Sequence, residues 1–270
     1  NTKLLGLNDI TFNVGTTTAD VTDNVLSHEG WVIDGNTKLQ TAGSQYSLPS
    51  TGVFTWSFWW NPNTLHSSCN GSNWCFFMDK LQSTSGEYAP RTYQTSNGAL
   101  KITSVASGVG YGSSATTSNT MTIGDWNHII IKQSGGTITG ILNDGIPAST
   151  SVISGSDSGE DFRFFSPNVY MDGTLRNMIM YDSSLSASDI TSLYNSGVPI
   201  TSSEAGVTSG VLIEHTLTSS PPTETNTGSL GGIVDVFSGT ATHASIITST
   251  PFISATGLTD NTSTPQHYTI

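Results

Sequence analysis

Acid–base chemistry in this chain would have to be built from few residues. The glutamates are Glu29, Glu87, Glu160, Glu204, Glu214 and Glu224, and the histidines are His28, His66, His128, His215, His243 and His267. Glycoside hydrolysis needs two carboxylates facing one bond, about 5–5.5 Å apart in retaining enzymes. No Glu here is followed two residues on by Asp, and Glu160-Asp161 near Asp157 lies in a Gly/Ser stretch that reads as solvated turn. Nucleophilic hydrolysis lacks a G-x-S-x-G elbow, and Ser is too abundant for any single one to signal. His28-Glu29 does not extend to H-E-x-x-H, so the zinc-hydrolase pattern is missing. Gly108-Val-Gly-Tyr-Gly112 precedes no helical pattern and reads as a turn, not a phosphate cradle. These residues point away from an enzyme.

Binding chemistry is better supplied. A sugar site pairs an aromatic platform with a few hydrogen-bonding groups. The stretch around His66–Trp74 and the run Glu87-Tyr-Ala-Pro-Arg-Thr-Tyr93 offer Asn73, Trp74, Tyr88, Arg91 and Tyr93 as candidate ligand-binding residues. Trp74 also has a structural reading, as a core plug beside Cys75. Cys69 and Cys75 bracket the loop CNGSNWC. A disulfide across it is sterically plausible and would suit an oxidising compartment. Two free thiols in a strand-edge loop is the alternative. Asn70-Gly-Ser and Asn261-Thr-Ser match the glycosylation sequon, a pattern common by chance in a chain this rich in hydroxyls.

The elements that must position these residues are mostly strands. Of 270 residues, 80 are Ser or Thr, and only 10% are charged. Ala, Glu, Lys and Arg are scarce while Thr, Val, Ile and aromatics are plentiful, which favours an all-β chain. Eight Lys+Arg against twenty Asp+Glu leave −12, so no nucleic-acid partner is expected. No apolar run approaches the roughly 20 residues of a spanning helix. The chain opens on Asn1 rather than Met, with no charged-then-apolar leader, which reads as a removed leader or a processed end.

Strands are predicted at Phe54–Trp60, Cys75–Lys80, Ala99–Val105, His128–Gln133, Thr137–Leu142 and Thr174–Tyr181. Gly135-Gly136 reads as a tight hairpin turn, and Asn143-Asp-Gly145 closes the next strand. Leu185, Ile190, Leu193 and Tyr194 recur at helical spacing, with Ser186 as N-cap, Asp189 three residues on and Gly197 as C-cap. Phe54, Trp56, Phe58 and Trp60 share one face of a strand whose other face carries Trp59, so that strand should be covered on both sides. The organisation predicted is a sandwich over 1–198, a linker over 199–209, and a small β extension or partial repeat over 210–270. The extension has short apolar runs at Val211–Ile213, Ile233–Phe237 and Ile246–Ile247. It is too small for a large core of its own, so it should pack on the main domain or on a neighbouring chain.

Three segments carry a family resemblance. Val53-Phe-Thr-Trp-Ser-Phe-Trp-Trp-Asn-Pro62 resembles an internal strand of the laminin-G-like, concanavalin A-like jelly rolls. Gly124-Asp-Trp-Asn-His-Ile-Ile-Ile-Lys132 with Gly135-Gly136 and Ile141-Leu-Asn-Asp-Gly145 resembles their central hairpin. Gly173-Thr-Leu-Arg-Asn-Met-Ile-Met-Tyr-Asp182 followed by Leu185–Tyr194 resembles their closing strand and helix. The likeness covers about residues 1–197 and implies a two-sheet antiparallel jelly-roll sandwich with one short helix near its end. Gly210–Leu217 with Asn226–Gly232 faintly resembles the opening of another such module. It also implies that His128, beside Trp126, packs. The E-x-D-x-x-E catalytic strand of β-glucanases sharing this sandwich is absent. Many relatives hold calcium through an early loop and an Asp on the closing strand. Here the early loop offers Asp20, Asp23 and Asn24, but Arg176 stands where that Asp is often found.

The sequence therefore predicts a non-catalytic structural or recognition protein of an extracellular, cell or virion surface, self-assembling through its C-terminal extension. A monomeric glycan-binding module is the alternative, and a glycoside hydrolase a distant third. The partners expected are a glycan or surface protein and other copies of the chain. No cofactor is required, calcium being left open.

Overall fold

The computed structural model describes residues 9–14, 17–22, 30–34, 38–41, 48–67, 69, 75–80, 85–157, 159–160, 162–165, 171–218, 223–230, 233–238 and 242–244. Asn73 and Trp74, both sequons, Asp23, Asn24 and Ile246–Ile247 lie outside them. The chain forms two units: 29–244, and 1–28 with 245–270. In the second of these, β1 (Asp9–Val14) and β2 (Thr17–Thr22) form an antiparallel hairpin.

Residues 29–244 carry the remaining described strands: β3 (Gly30–Asp34), β4 (Lys38–Thr41), β5 (Phe54–Pro62), β6 (Cys75–Lys80), β7 (Glu87–Gln94), β8 (Ala99–Ala106), β9 (Gly110–Tyr111), β10 (Ala115–Thr120), β11 (Asn127–Ser134), β12 (Thr137–Leu142), β13 (Ala148–Ser151), β14 (Ser156–Asp157), β15 (Phe162–Phe164), β16 (Asp172–Tyr181), β17 (Val211–His215), β18 (Thr223–Thr225), β19 (Ile233–Ser238) and β20 (Thr242–Ala244). They build two sheets. Sheet I runs β13-β12-β11-β5-β16-β3-β20, with β17 also on β16. Sheet II runs β10-β8-β7-β6-β15-β4-β19-β18, with β14 on β7 and β9 on β8. This is the jelly-roll sandwich that the sequence predicts.

The core lies between the sheets. Trp56 from sheet I meets Phe162 and Phe164 of sheet II edge-on, with ring centroids 5.3 and 5.1 Å apart. Phe54, Phe58 and Trp60 are fully buried with them, as are Ile129, Ile131, Leu100 and Ile102. Interior aromatics at alternate positions put the intervening Thr55, Ser57 and Trp59 on the outer side, as the period-2 reading requires. That side is buried too, under the helix α1 (Ala187–Tyr194), which packs Ile190 and Leu193 with Ile130, Ile141, Ile179 and Tyr181.

Local chemistry sets the turns. Gly135 and Gly136 both take positive φ (57° and 74°), the pairing that a two-residue hairpin needs to match strand twist. Ser186 caps α1 with a full capping box to Asp189. The helix ends earlier than predicted: Asn195, at φ 42°, is its left-handed C-cap, and Gly197 closes the 3-10 turn that follows. Gly173 permits close approach of β16 to β5, since a Cβ there would sit 2.3 Å from the Asn61 carbonyl oxygen.

The stretch 199–209, predicted as a linker, carries a second helix, α2 (Ser202–Ala205), whose buried Ser202 donates its hydroxyl to Glu214 at 2.7 Å. Strands predicted as a small extension join both sheets: β17 pairs with β16, β19 with β4, and β20 with β3. Ile213 and Leu217 are fully buried in the common core. Short apolar runs without a core of their own gain one by completing a neighbour's sheet.

Candidate functional site: the outer face of sheet II

Alternation along β7 separates the predicted binding residues. Tyr88 is fully buried and donates a hydrogen bond to Gln133 of sheet I, in the interior between the sheets. Burial also pushes its phenol far above the usual tyrosine range. This burial corrects the expectation that Tyr88 meets a ligand: on one strand it cannot share a face with Arg91 and Tyr93, which have the opposite parity. Arg91 and Tyr93 lie together on the outer face. Asp20, the described calcium candidate, falls within β2.

Register assembles neighbours that lie far apart in the chain. Asp79 of β6 bonds Arg91 of β7, the guanidinium donating Nε–H at 3.0 Å. Arg163 of β15 is paired with Asp79, and Gln40 of β4 with Arg163. Thr103 of β8 stands opposite Arg91. These residues make one row, Gln40–Arg163–Asp79–Arg91–Thr103, crossing five strands at about 4.8 Å per step. A parallel row runs Phe76–Tyr93–Lys101–Thr116. Tyr111 of β9, opposite Val105, extends the same face.

Arg91 is the centre of this surface. Its guanidinium carbon is 5.4 Å from the Phe76 ring centroid and 5.9 Å from that of Tyr111, and Nη1 reaches the Tyr111 hydroxyl at 3.5 Å. Stacking of this kind fixes a planar cation at small entropic cost. Lys101 extends its ammonium over Tyr93, 5.3 Å from the centroid. Phe76 and Tyr93 form an almost closed floor, while Tyr111 is 58% exposed. Burial raises the Asp79 carboxyl above its ordinary range, against the opposing pull of Arg91, the Lys80 amide and Arg163.

Phe76, Asp79, Lys101, Tyr111 and Arg163 were not predicted. Cys69 and Cys75 form the expected disulfide at the foot of β6.

Calcium does not fit the position taken by the family's closing-strand Asp. Arg176 is half-buried on β16, and its charge acts on Glu204 of α2. Among the described residues, no three His, Cys, Asp or Glu side chains gather as a metal set. His128 is buried, shares a hydrogen bond with the Ser57 hydroxyl at 2.8 Å, and stacks on Trp59 at 4.7 Å. It is a packing residue. Among the described residues no helix is long and apolar enough to cross a membrane.

A Bacteroides ovatus protein assigned to carbohydrate binding superposes with a TM-score of 0.52 at 13% identity, over 87% of this chain and 65% of that one. A heptameric pentraxin of Limulus polyphemus gives 0.44 at 13%, over 66% and 87%. Domains LG4-5 of the mouse laminin α1 chain give 0.42 at 14%, over 61% and 44%. No curated protein is matched. Residues 33–191, more than half of the chain, match the laminin G family model. With this match and a two-sheet antiparallel sandwich closed by a capped helix, the chain belongs to the concanavalin A-like lectin/glucanases superfamily.

Proposed function

We propose that this chain is a non-catalytic carbohydrate-recognition module of an extracellular, cell or particle surface, and that it holds glycan on the outer face of sheet II. One observation carries the reading: Arg91 is clamped between Phe76 and Tyr111, leaving an exposed aromatic ring beside fixed hydrogen-bond donors. Aromatic faces cover the C–H side of a sugar ring, and positioned polar groups take its hydroxyls. The Bacteroides protein of like fold adds support. The missing catalytic carboxylate strand favours binding over hydrolysis. The Cys69–Cys75 disulfide and the hydroxyl-rich, lysine-poor composition suit an oxidising exterior.

A glycan array probed with the full chain and with Tyr111→Ala tests this. Wild type should retain a defined glycan set, and Tyr111→Ala should lose it at least about tenfold with an unchanged unfolding midpoint. An array with no hits, or hits indifferent to Tyr111, overturns the reading. Release of reducing sugar from a bound glycan would overturn the non-catalytic part.

Self-assembly is a second reading, supported by the way the strands after residue 210 complete sheet edges. The same strands exchanged between copies would join chains by strand addition. Removing them would uncover Ile213 and Leu217 positions in the core, so the test is the mass of the full chain in solution. A dimer or larger species supports assembly, and a monomer at high concentration removes it.

A further inference from the structure

The chain is strongly acidic, yet its few cations are not spread evenly. Six of its eight Lys and Arg have described side chains. Lys80 is buried against Asp157 at 2.6 Å, Lys132 donates to the Leu185 carbonyl at 2.8 Å, and Arg176 lies on β16 of sheet I, where its charge acts on Glu204. The other three, Arg91, Lys101 and Arg163, occupy one face, the outer side of sheet II, on β7, β8 and β15. Asp79 stands between the two arginines, and Glu87, on the same side of β7, is buried. At the far end, register sets Asp235 opposite Gln40. Two guanidinium groups and an ammonium thus surround a single central carboxylate on a protein of net charge −12.

We propose that the glycan taken by this face is anionic, carrying carboxylate or sulfate groups; this rests on the recognition reading above. Arg91 spends its Nε–H on Asp79 and still has further N–H donors on a plane fixed by two rings, a geometry suited to carboxylate or sulfate oxygens. Lys101, two residues along the neighbouring strand from Thr103, adds a point charge within reach of the next saccharide unit. The rest of the molecule opposes such a ligand. At about 0.01 M salt, where screening extends roughly 30 Å, the whole −12 charge repels a polyanion; at about 0.15 M, near 8 Å, only the patch is felt. Binding should therefore be strongest at intermediate salt and fall on both sides.

Three polymers serve as probes for the full chain at about 0.15 M salt: dextran, dextran sulfate and polygalacturonate. The expected result is retention of at least one polyanion and not of dextran. Lys101→Gln should weaken that binding about tenfold, while Lys132→Gln, the same charge change on sheet I, leaves it unaltered. Retention of polygalacturonate alone identifies carboxylate, of dextran sulfate alone sulfate, and each supports the proposal. Dextran held as tightly as its sulfate, equal losses in both lysine variants, or array hits confined to neutral glycans would overturn it and leave the recognition reading standing. No carbohydrate binding of any kind overturns both.

Discussion

The two outer faces of this sandwich start from the same backbone and end in opposite chemistry. On sheet I, α1 covers the face, and three polar side chains there are tied within the fold. Thr55 donates to the Ser183 carbonyl, Ser57 meets His128, and Lys132 reaches the Leu185 carbonyl. Trp59, His128 and Tyr194 stack in sequence under the helix end. On sheet II, no described helix covers β6, β7 and β8, and the face carries charge, a stacked guanidinium and an exposed tyrosine. The contrast teaches that aromatic content alone does not mark a binding face. Covered rings serve packing, whereas on the proposed reading rings beside oriented cations serve recognition.

The sharpest break of that comparison is a pair of truncations. Trp59→Ala removes a buried indole from under α1 and should cost about 3–5 kcal/mol of unfolding free energy in urea. Tyr111→Ala on the other face should stay within about 0.5 kcal/mol. Comparable losses would mean that both faces are structural, and the recognition site would have to move elsewhere.

The disulfide sharpens the same contrast, since it lies at the foot of β6, the strand that carries Phe76 and Asp79. It closes a loop of sequence separation 6, for which chain entropy gives about 2 kcal/mol. Cys69→Ser with Cys75→Ser should lower stability by that amount without unfolding the chain at room temperature. Loss of glycan binding beyond what the stability loss explains would place the 69–75 loop at the ligand.

Acid should act first on the covered face. Burial lowers His128 from the ordinary histidine value to about 3. The unfolded chain takes up this proton near pH 6.5 and the folded chain does not, so the unfolded state binds more protons between those values. The contribution is complete above about pH 6.5 and is lost as pH falls toward 3. Between pH 7 and 5 the loss from this group is about 2 kcal/mol. The difference in stability between wild type and His128→Asn should shrink by that amount over this interval. A pH-independent difference would show that His128 titrates in the folded protein as it does in the unfolded chain, and would overturn the lowered value.

Much of the fold was legible because strand signals are local. Cys75–Lys80 and Thr137–Leu142 have the bounds that were predicted, and the double face of β5 followed from aromatic alternation. Gly135-Gly136 and Ser186 were readable since a turn or cap is chosen by a few adjacent residues. The C-cap was misplaced because Asn also tolerates the left-handed conformation and stopped the helix two residues before Gly197. The candidate site was legible only in part. Arg91 and Tyr93 carry the right residue types, and parity along Glu87–Tyr93 already separates them from Tyr88. Asp79, Lys101, Tyr111 and Arg163 reach Arg91 only through sheet register, which pairs strands separated by tens of residues and leaves no mark in a single sequence. The short runs after residue 210 read as needing a partner surface, in the same chain or another, but nothing local in them shows that the partners are β4 and β3.

The smallest effect on stability is expected at the centre of the proposed recognition face. The Asp79–Arg91 pair has side chains 16% and 19% exposed, where an ion pair contributes little after screening and side-chain entropy are counted. Desolvation works against the charged Asp79: its carboxyl titrates above the ordinary value, so the pair's carboxylate is held at a cost that grows as pH rises through that range. Asp79→Asn keeps the shape, removes the desolvated charge and leaves the amide oxygen as an acceptor for the Arg91 Nε–H. Its unfolding free energy at pH 7 should differ from wild type by less than about 1 kcal/mol. The same substitution raises the local charge by one, so retention of a bound polyanion should rise while retention of any neutral glycan stays constant. A marked loss of stability would make the Asp79–Arg91 pair a structural tie like those beneath α1, and the difference between the two faces would be one of cover and not of purpose.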